Sequence, residues 1–186
     1  MEKISGTKSI KRIALIGPES TGKTLLCMRL AEHYKTVWVP EYARIFMTKL
    51  KRQYNYDDVV HCARVQMQTE DEMIKQANHF LFCDTELINY KIWFEDKFQK
   101  VPEWLDKEIE KRKYDLYLLT SPDLPWIAET VRENPTRRKY FFDLYLSEME
   151  KRNFRYRIIS GTEEARSELA INLIDSVFNF SRRTFF

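Results

Sequence analysis

Residues 13–24 read Ile-Ala-Leu-Ile-Gly-Pro-Glu-Ser-Thr-Gly-Lys-Thr, and the last eight, GPESTGKT, decide how the rest of the chain is read. They match G-x-x-x-x-G-K-[ST], the pattern of a backbone cradle for phosphate groups. Chance alone would place it in very roughly one chain in a hundred of this length. The context raises its weight: an apolar, strand-like run precedes it and a helical pattern over Thr24–Tyr34 follows it, as the motif requires. Gly17 and Gly22 permit the turns that point N–H groups inward, so Gly17, Glu19, Ser20, Thr21 and Gly22 are expected to wrap a nucleotide's phosphates. Lys23 would bridge the β- and γ-phosphates, and the Thr24 hydroxyl would hold Mg²⁺.

Working outward, short apolar runs alternate with helical patterns. Strands are expected at Ile10–Ile16, Val37–Val39, His79–Cys83, Tyr114–Leu119 and Arg155–Ile159. Helices are expected at Thr24–Tyr34, Asp57–Asn78, Leu87–Phe98, from Pro102, at Pro135–Arg152 and at Glu163–Phe178. This order predicts an α/β fold: a parallel five-stranded sheet with helices on both faces, a three-layer P-loop NTPase sandwich. Three of the four glycines, at 17, 22 and 161, fall at strand–helix junctions, where ligands of such sheets bind.

Those junctions carry the candidate chemistry. FLFCD ends the third strand on Asp84, the usual setting for a carboxylate that orients Mg²⁺; an N-cap role for the next helix is compatible with it. Glu41, after VWVP, can hold or deprotonate an attacking hydroxyl, with Arg44 one turn later beside the transferred group; a local i,i+3 pair is the alternative. Gln66 and Glu70 lie among apolar residues of the long helix, so they need partners, which an acceptor's hydroxyls would supply unless that end is exposed. The proline-broken segment of about 124–139 carries Arg132, Arg137 and Arg138 and reads as a lid that closes over the phosphates, a solvated basic face being the alternative. Trp126 is a candidate acceptor contact there, and Ser160 and Gly161 are candidates beside the adenine.

At 186 residues with 44% hydrophobic and 32% charged residues, the chain reads as one soluble domain. A net charge of +3 without a basic–aromatic stripe argues against nucleic acid as a partner, and no run approaches a membrane span. The start is polar and unlike a signal peptide, and Cys27, Cys62 and Cys83 lack metal spacing, so buried thiols in the cytoplasm are expected. No NKxD-type segment points to guanine.

Together, GPESTGKT, PEYAR, Gln66 ahead of ANHFLFCDTEL, YDLYLLTSPDLPW, RENPTRR and ISGTEEAR resemble, in the same order and over roughly residues 10–175, the NadR-type ribosylnicotinamide kinase domains, an AAA-like group of P-loop proteins. The resemblance implies a nucleoside- and adenylate-kinase-like sheet and transfer of the ATP γ-phosphate to the 5′-hydroxyl of nicotinamide riboside. It implies MgATP as cofactor, Lys23, Glu41, Asp84 and Arg132 as catalytic residues, and a substrate pocket formed by Glu41, Tyr42, Arg44, Gln66, Asp84 and Trp126. Bifunctional relatives carry an adenylyltransferase domain ahead of the kinase; this chain is expected to be the kinase alone. It departs from the family at Pro40, where an aromatic residue often stacks on the pyridine ring, leaving Trp38 or Tyr42 for that task, and at Glu129-Thr130 in place of Asp-Gly. A kinase for another nucleoside or a vitamin-like alcohol, and an ATP-binding regulatory module whose Phe-rich tail docks a partner, are the other readings. The oligomeric state is left open.

Overall fold

The computed structural model describes residues 9–129 and 132–180. Thr130, the polar start and the last six residues of the Phe-rich tail lie outside them. Five parallel strands form one sheet: β1 Lys11–Ile16, β2 Trp38–Val39, β3 Phe80–Asp84, β4 Leu116–Thr120 and β5 Tyr156–Ile159. Their order is β2-β3-β1-β4-β5, so β1 lies between two strands reached by crossovers in opposite directions. A crevice opens at such a switch point, beyond the carboxyl ends of the strands. The register sets Leu15 beside Asp84 and Ile16 beside Leu119, which brings the end of β1 level with the ends of β3 and β4.

Side-chain alternation divides the core into two layers. Ile13, Leu15, Phe80, Phe82, Leu116 and Leu118 pack towards α1 (Lys23–Tyr34) and α7 (Glu163–Phe178). Ala14, Ile16, Leu81, Cys83, Tyr117 and Leu119 pack on the other face, towards α3 (Tyr56–Met73), α4 (Leu87–Trp93), α5 (Glu103–Lys111) and α6 (Arg138–Lys151). The expected three-layer sandwich is therefore the observed one. Cys27, Cys62 and Cys83 are buried and free, as expected. Among the described residues no helix is long and apolar enough to cross a membrane.

The local differences have physical causes. A short helix, α2 (Tyr42–Lys49), follows Glu41 directly. The long helix begins at an Asn55–Asp58 capping box and ends at Met73, where a 3₁₀ turn (Ile74–Gln76) finishes the segment expected to be helical to residue 78. The helix from Leu87 becomes a π-helical turn over Phe94–Phe98, which sends Trp93, Asp96 and Lys97 to the cavity described below. The helix expected from Pro135 starts only at Arg138, because residues 135–136 form a turn.

Candidate active site

The phosphate-binding motif turns between β1 and α1. Gly17 has φ +135°, and a Cβ there would stand 2.6 Å from the Thr120 hydroxyl and 2.8 Å from the Thr120 carbonyl oxygen, so glycine is required by conformation and by space. Ser20 adopts φ +56° and Gly22 φ +77°, which curls the loop into the start of α1. Thr120, at the end of β4, buttresses it: its hydroxyl meets that of Thr21 at 2.7 Å and donates to the Ile16 carbonyl at 3.1 Å. From behind, the buried Arg166 donates to the carbonyls of Thr21, Ile159, Gly161 and Ser121 and pairs with Asp123. Thr120 and Arg166 are functional supports that the sequence reading missed; ending a strand on Thr and placing Arg five residues after Gly161 are weak signals alone.

The Lys23 ammonium donates to the carbonyls of Gly17 (2.9 Å) and Pro18 (2.8 Å). Burial lowers its pKa, against the pull of Glu41, Asp84 and Glu19. The Thr24 hydroxyl donates to Asp84 at 2.5 Å, and the other Asp84 oxygen is buried with no hydrogen-bond partner among the described residues. A hydroxyl and a carboxylate with a spare, desolvated oxygen fit a magnesium ion, which takes one or two protein ligands and completes its shell with phosphate and water. Burial raises the Asp84 pKa, with Lys23 opposing. Glu41 faces the same space. Burial, reinforced by Asp84, lifts its pKa from 4.5 to about 7, again with Lys23 opposing.

Glu41 is the N-cap residue of α2 but makes no capping bond with its side chain, so its carboxylate is not committed locally. Nor does it take up Arg44 as an i,i+3 pair: Arg44 reaches across the cleft to Glu129, which also holds Arg132 at 2.8 Å. The loop that carries Glu41 is fixed from beneath by Gln66, which accepts from the Tyr42 N–H (2.8 Å) and donates to the Pro40 carbonyl (3.1 Å). Gln66 is therefore occupied by the backbone on both sides of Glu41 instead of facing an acceptor. Glu70 is likewise buried but bound to Arg12 (2.8 Å) and the Tyr114 hydroxyl (2.5 Å), away from the cleft.

These elements enclose a cavity of about 1120 Å³ that runs from residues 17–24 past Glu41 and Arg44 to Tyr54, Trp93 and Phe141. The segment between β4 and α6 lies over its phosphate end. Glu19 accepts from the N–H groups of Glu133 and Asn134 (2.9 Å to the latter), and the Ser20 hydroxyl accepts from the Ile127 N–H at 2.8 Å. Arg132 and Arg137 line the cavity, Arg132 donating to the Ile127 carbonyl and Arg137 paired with Asp96. Arg138 donates instead to the carbonyls of Ser20 and Leu124, with its guanidinium 5.9 Å from the Trp126 ring.

The fold thus brings residues 17–24, Glu41, Arg44, Arg132 and Arg137 to one cavity wall, with Asp84 directly behind Thr24. Tyr42, Trp126, Arg138, Ser160 and Gly161 are not part of that wall. Tyr42 packs on Phe46 and His61, and the Gly161 N–H is taken by Asp123 at 2.8 Å.

Comparison with known proteins agrees with this geometry. The AAA domain family model matches residues 12–166. The trifunctional NAD biosynthesis/regulator protein NadR of Escherichia coli is 26% identical over 183 residues, covering 93% of this chain and 44% of its own length. The chain thus spans less than half of this curated relative. A crystal structure of NadR in complex with NR superposes with a TM-score of 0.79 at 19% identity, covering 95% of this chain and 53% of that one. A NadR complex with NAD and AMP-PNP gives 0.75 at 20% identity, covering 95% and 52%. Deoxyadenosine kinase from M. mycoides with bound dCTP gives 0.58 at 12% identity, covering 89% and 99%.

Proposed function

The chain belongs to the AAA domain family, and from that premise we propose that it is an ATP-dependent small-molecule kinase acting on a nucleoside-like hydroxyl, with the 5′-hydroxyl of nicotinamide riboside as the leading acceptor. One observation carries the reading: Lys23, the Thr24–Asp84 pair and Glu41, whose side chain makes no capping bond of its own, converge at the mouth of one phosphate loop. The likeness to NadR supports it, since one NadR structure holds NR and another holds AMP-PNP.

Phosphoryl transfer is mostly positioning and electrostatics, and the residues divide accordingly. The loop amides of residues 17–24 and the N-terminus of α1 hold the ATP phosphates. Lys23 exchanges the carbonyls of Gly17 and Pro18 for phosphate oxygens, which are better acceptors for a buried ammonium. Magnesium, held by Thr24 and Asp84, would supply further charge neutralisation. With a pKa near 7, Glu41 is placed to accept the proton of the attacking hydroxyl. Arg132 and Arg44 face the transferring group once Glu129 yields them. The 124–139 segment serves as the lid, and the chain acts as one domain. A small-molecule acceptor and no nucleic acid suit a cavity whose charged side chains are largely paired with each other.

The test is ADP formation with MgATP, first without acceptor and then with nicotinamide riboside, other nucleosides and thiamine-like alcohols, beside Lys23→Ala. Acceptor-dependent turnover that disappears in the folded variant supports the kinase, and the best acceptor names the substrate. Near-normal turnover in Lys23→Ala, or no dependence on any acceptor, refutes it.

A further inference from the structure

Glu129 stands between two arginines. Its carboxylate pairs with Arg132, three residues on, at 2.8 Å, and with Arg44 from the opposite wall of the cleft. All three residues line the cavity that Glu41 and the phosphate loop share. Arg132 also donates to the Ile127 carbonyl at 2.6 Å and reaches the Ser20 hydroxyl of the loop at 3.5 Å. Two guanidinium groups aimed at one anion suit a phosphoryl group as well as a carboxylate, through charge-assisted bonds in both cases.

The bridge is not needed to keep the 124–139 segment in place. The loop already holds it: Glu19 accepts from the Asn134 N–H at 2.9 Å, Ser20 accepts from the Ile127 N–H at 2.8 Å, and Arg138 donates to the Ser20 carbonyl at 3.2 Å. The π-helical turn holds it again, where Lys97 pairs with Glu133 at 3.1 Å and Asp96 pairs with Arg137 at 2.5 Å. Among the described residues, Glu129–Arg44 is the ion pair that joins the segment to α2. It spans the cleft beside Glu41, which sits three residues before Arg44 as the N-cap of α2.

An arginine that meets the transferring phosphoryl raises turnover about 10³–10⁵-fold in phosphoryl-transfer enzymes. That gain is indifferent to the nucleophile. With ATP bound and no acceptor, a water beside Glu41 would react as an acceptor hydroxyl does. Its oxygen bonds to the γ-phosphorus, the bond to the β,γ-bridging oxygen breaks with its electron pair leaving on ADP, and its proton passes to Glu41. A cleft that avoids this hydrolysis has to withhold its arginines until the acceptor is present.

We propose that Glu129 makes this kinase discriminate its acceptor from water, by occupying Arg44 and Arg132 in the acceptor-free cleft and releasing them when an acceptor enters. An acceptor whose hydroxyl meets Glu41 lies against Arg44 and parts the bridge, so binding of the correct substrate completes the site. This rests on the kinase reading above, in which both arginines face the transferring group.

Initial rates of ADP formation by the full chain with MgATP test it, without acceptor and with the acceptor that wild type uses best, nicotinamide riboside being the first tried. Glu129→Gln is expected to raise acceptor-independent hydrolysis about tenfold while the acceptor-dependent kcat stays within about threefold, so the ratio of the two falls. Glu129→Asp keeps the charge and is expected to hold hydrolysis near the wild-type rate. Adding Arg44→Ala to Glu129→Gln is expected to remove most of the excess, because the freed arginine produces it. A merely structural Glu129 would lower both rates together. The proposal is overturned if hydrolysis by Glu129→Gln stays within about twofold of wild type, if Glu129→Asp hydrolyses ATP as fast as Glu129→Gln, or if the excess survives Arg44→Ala. Any of these results beside an acceptor-dependent wild type defeats this inference alone. A wild type that turns over no acceptor defeats the kinase reading first, and this inference with it.

Discussion

Gln66→Leu separates a residue that positions Glu41 from one that touches the acceptor. Gln66 is 1% exposed and holds the backbone on both sides of Glu41, through the Tyr42 N–H at 2.8 Å and the Pro40 carbonyl at 3.1 Å. Leucine fills nearly the same volume but leaves both backbone groups unpaired. A buried group left without its partner costs about 1–3 kcal/mol; two half-buried ones are worth roughly 3 kcal/mol together. For a chain of this size that lowers the melting midpoint by roughly 6–12 °C. The loosened loop also lets the Glu41 carboxylate drift, and a displacement near 1 Å costs on the order of 100-fold in turnover. Urea unfolding at constant m-value gives the first quantity, and acceptor-dependent kcat and KM give the second. The expected pattern is lost stability with a lower kcat and little change in acceptor KM. A stability change below about 1 kcal/mol with kcat intact refutes the reasoning. A higher acceptor KM at unchanged kcat refutes it too, and returns Gln66 to the acceptor pocket.

Three further outcomes follow from the same geometry. Because burial raises Glu41 from 4.5 to about 7, its protonated form is favoured by folding. Its contribution to stability is therefore full below pH 4.5 and lost as the pH rises to about 7, while kcat/KM climbs through the same window; Glu41→Gln flattens the stability slope and abolishes the kinetic limb, and a pH-independent kcat/KM between 5 and 8 contradicts the assignment. Gly17→Ala forces a Cβ to within 2.6 Å of the Thr120 hydroxyl at φ +135°, so it is expected to destabilise by about 2 kcal/mol or more and to weaken ATP binding in calorimetry; wild-type melting would contradict the packing. Glu19→Ala removes the acceptor of the Glu133 and Asn134 N–H groups, so these two amides are expected to exchange about tenfold faster with the β1 amides unchanged; unchanged protection at both would show that Glu19 does not hold the segment.

The sheet was readable because buried parallel strands are short, uninterrupted apolar runs. FLFCD and YLLT could hardly be anything else, and each lies within two residues of its expected bounds. The phosphate loop was readable because glycine, lysine and threonine are fixed at their spacing by backbone geometry. The need for partners at Gln66 and Glu70 was also visible, since polar residues sat on an apolar stripe. Their partners were not visible, because Pro40, Tyr42, Arg12 and Tyr114 reach them only when distant segments fold together. Arg44 shows the same limit: its local pairing rule points to Glu41, but the folded chain offers Glu129 from the opposite wall. Thr85 left no trace in the pattern, because a β-branched residue at positive φ is the choice that local preference argues against. Nor did any residue type announce the π-helical turn at Phe94–Phe98, which depends on packing.

The central claim is that this cleft moves a phosphoryl group from ATP to an acceptor's hydroxyl. Its most direct test is mass spectrometry of the acceptor after incubation with the chain, MgATP and nicotinamide riboside or another nucleoside, with Lys23→Ala as the control. The account predicts one nucleoside gaining a single phosphoryl group, in step with ADP formation, and no such product with the variant. ADP and free phosphate accumulating with every acceptor unmodified would contradict it.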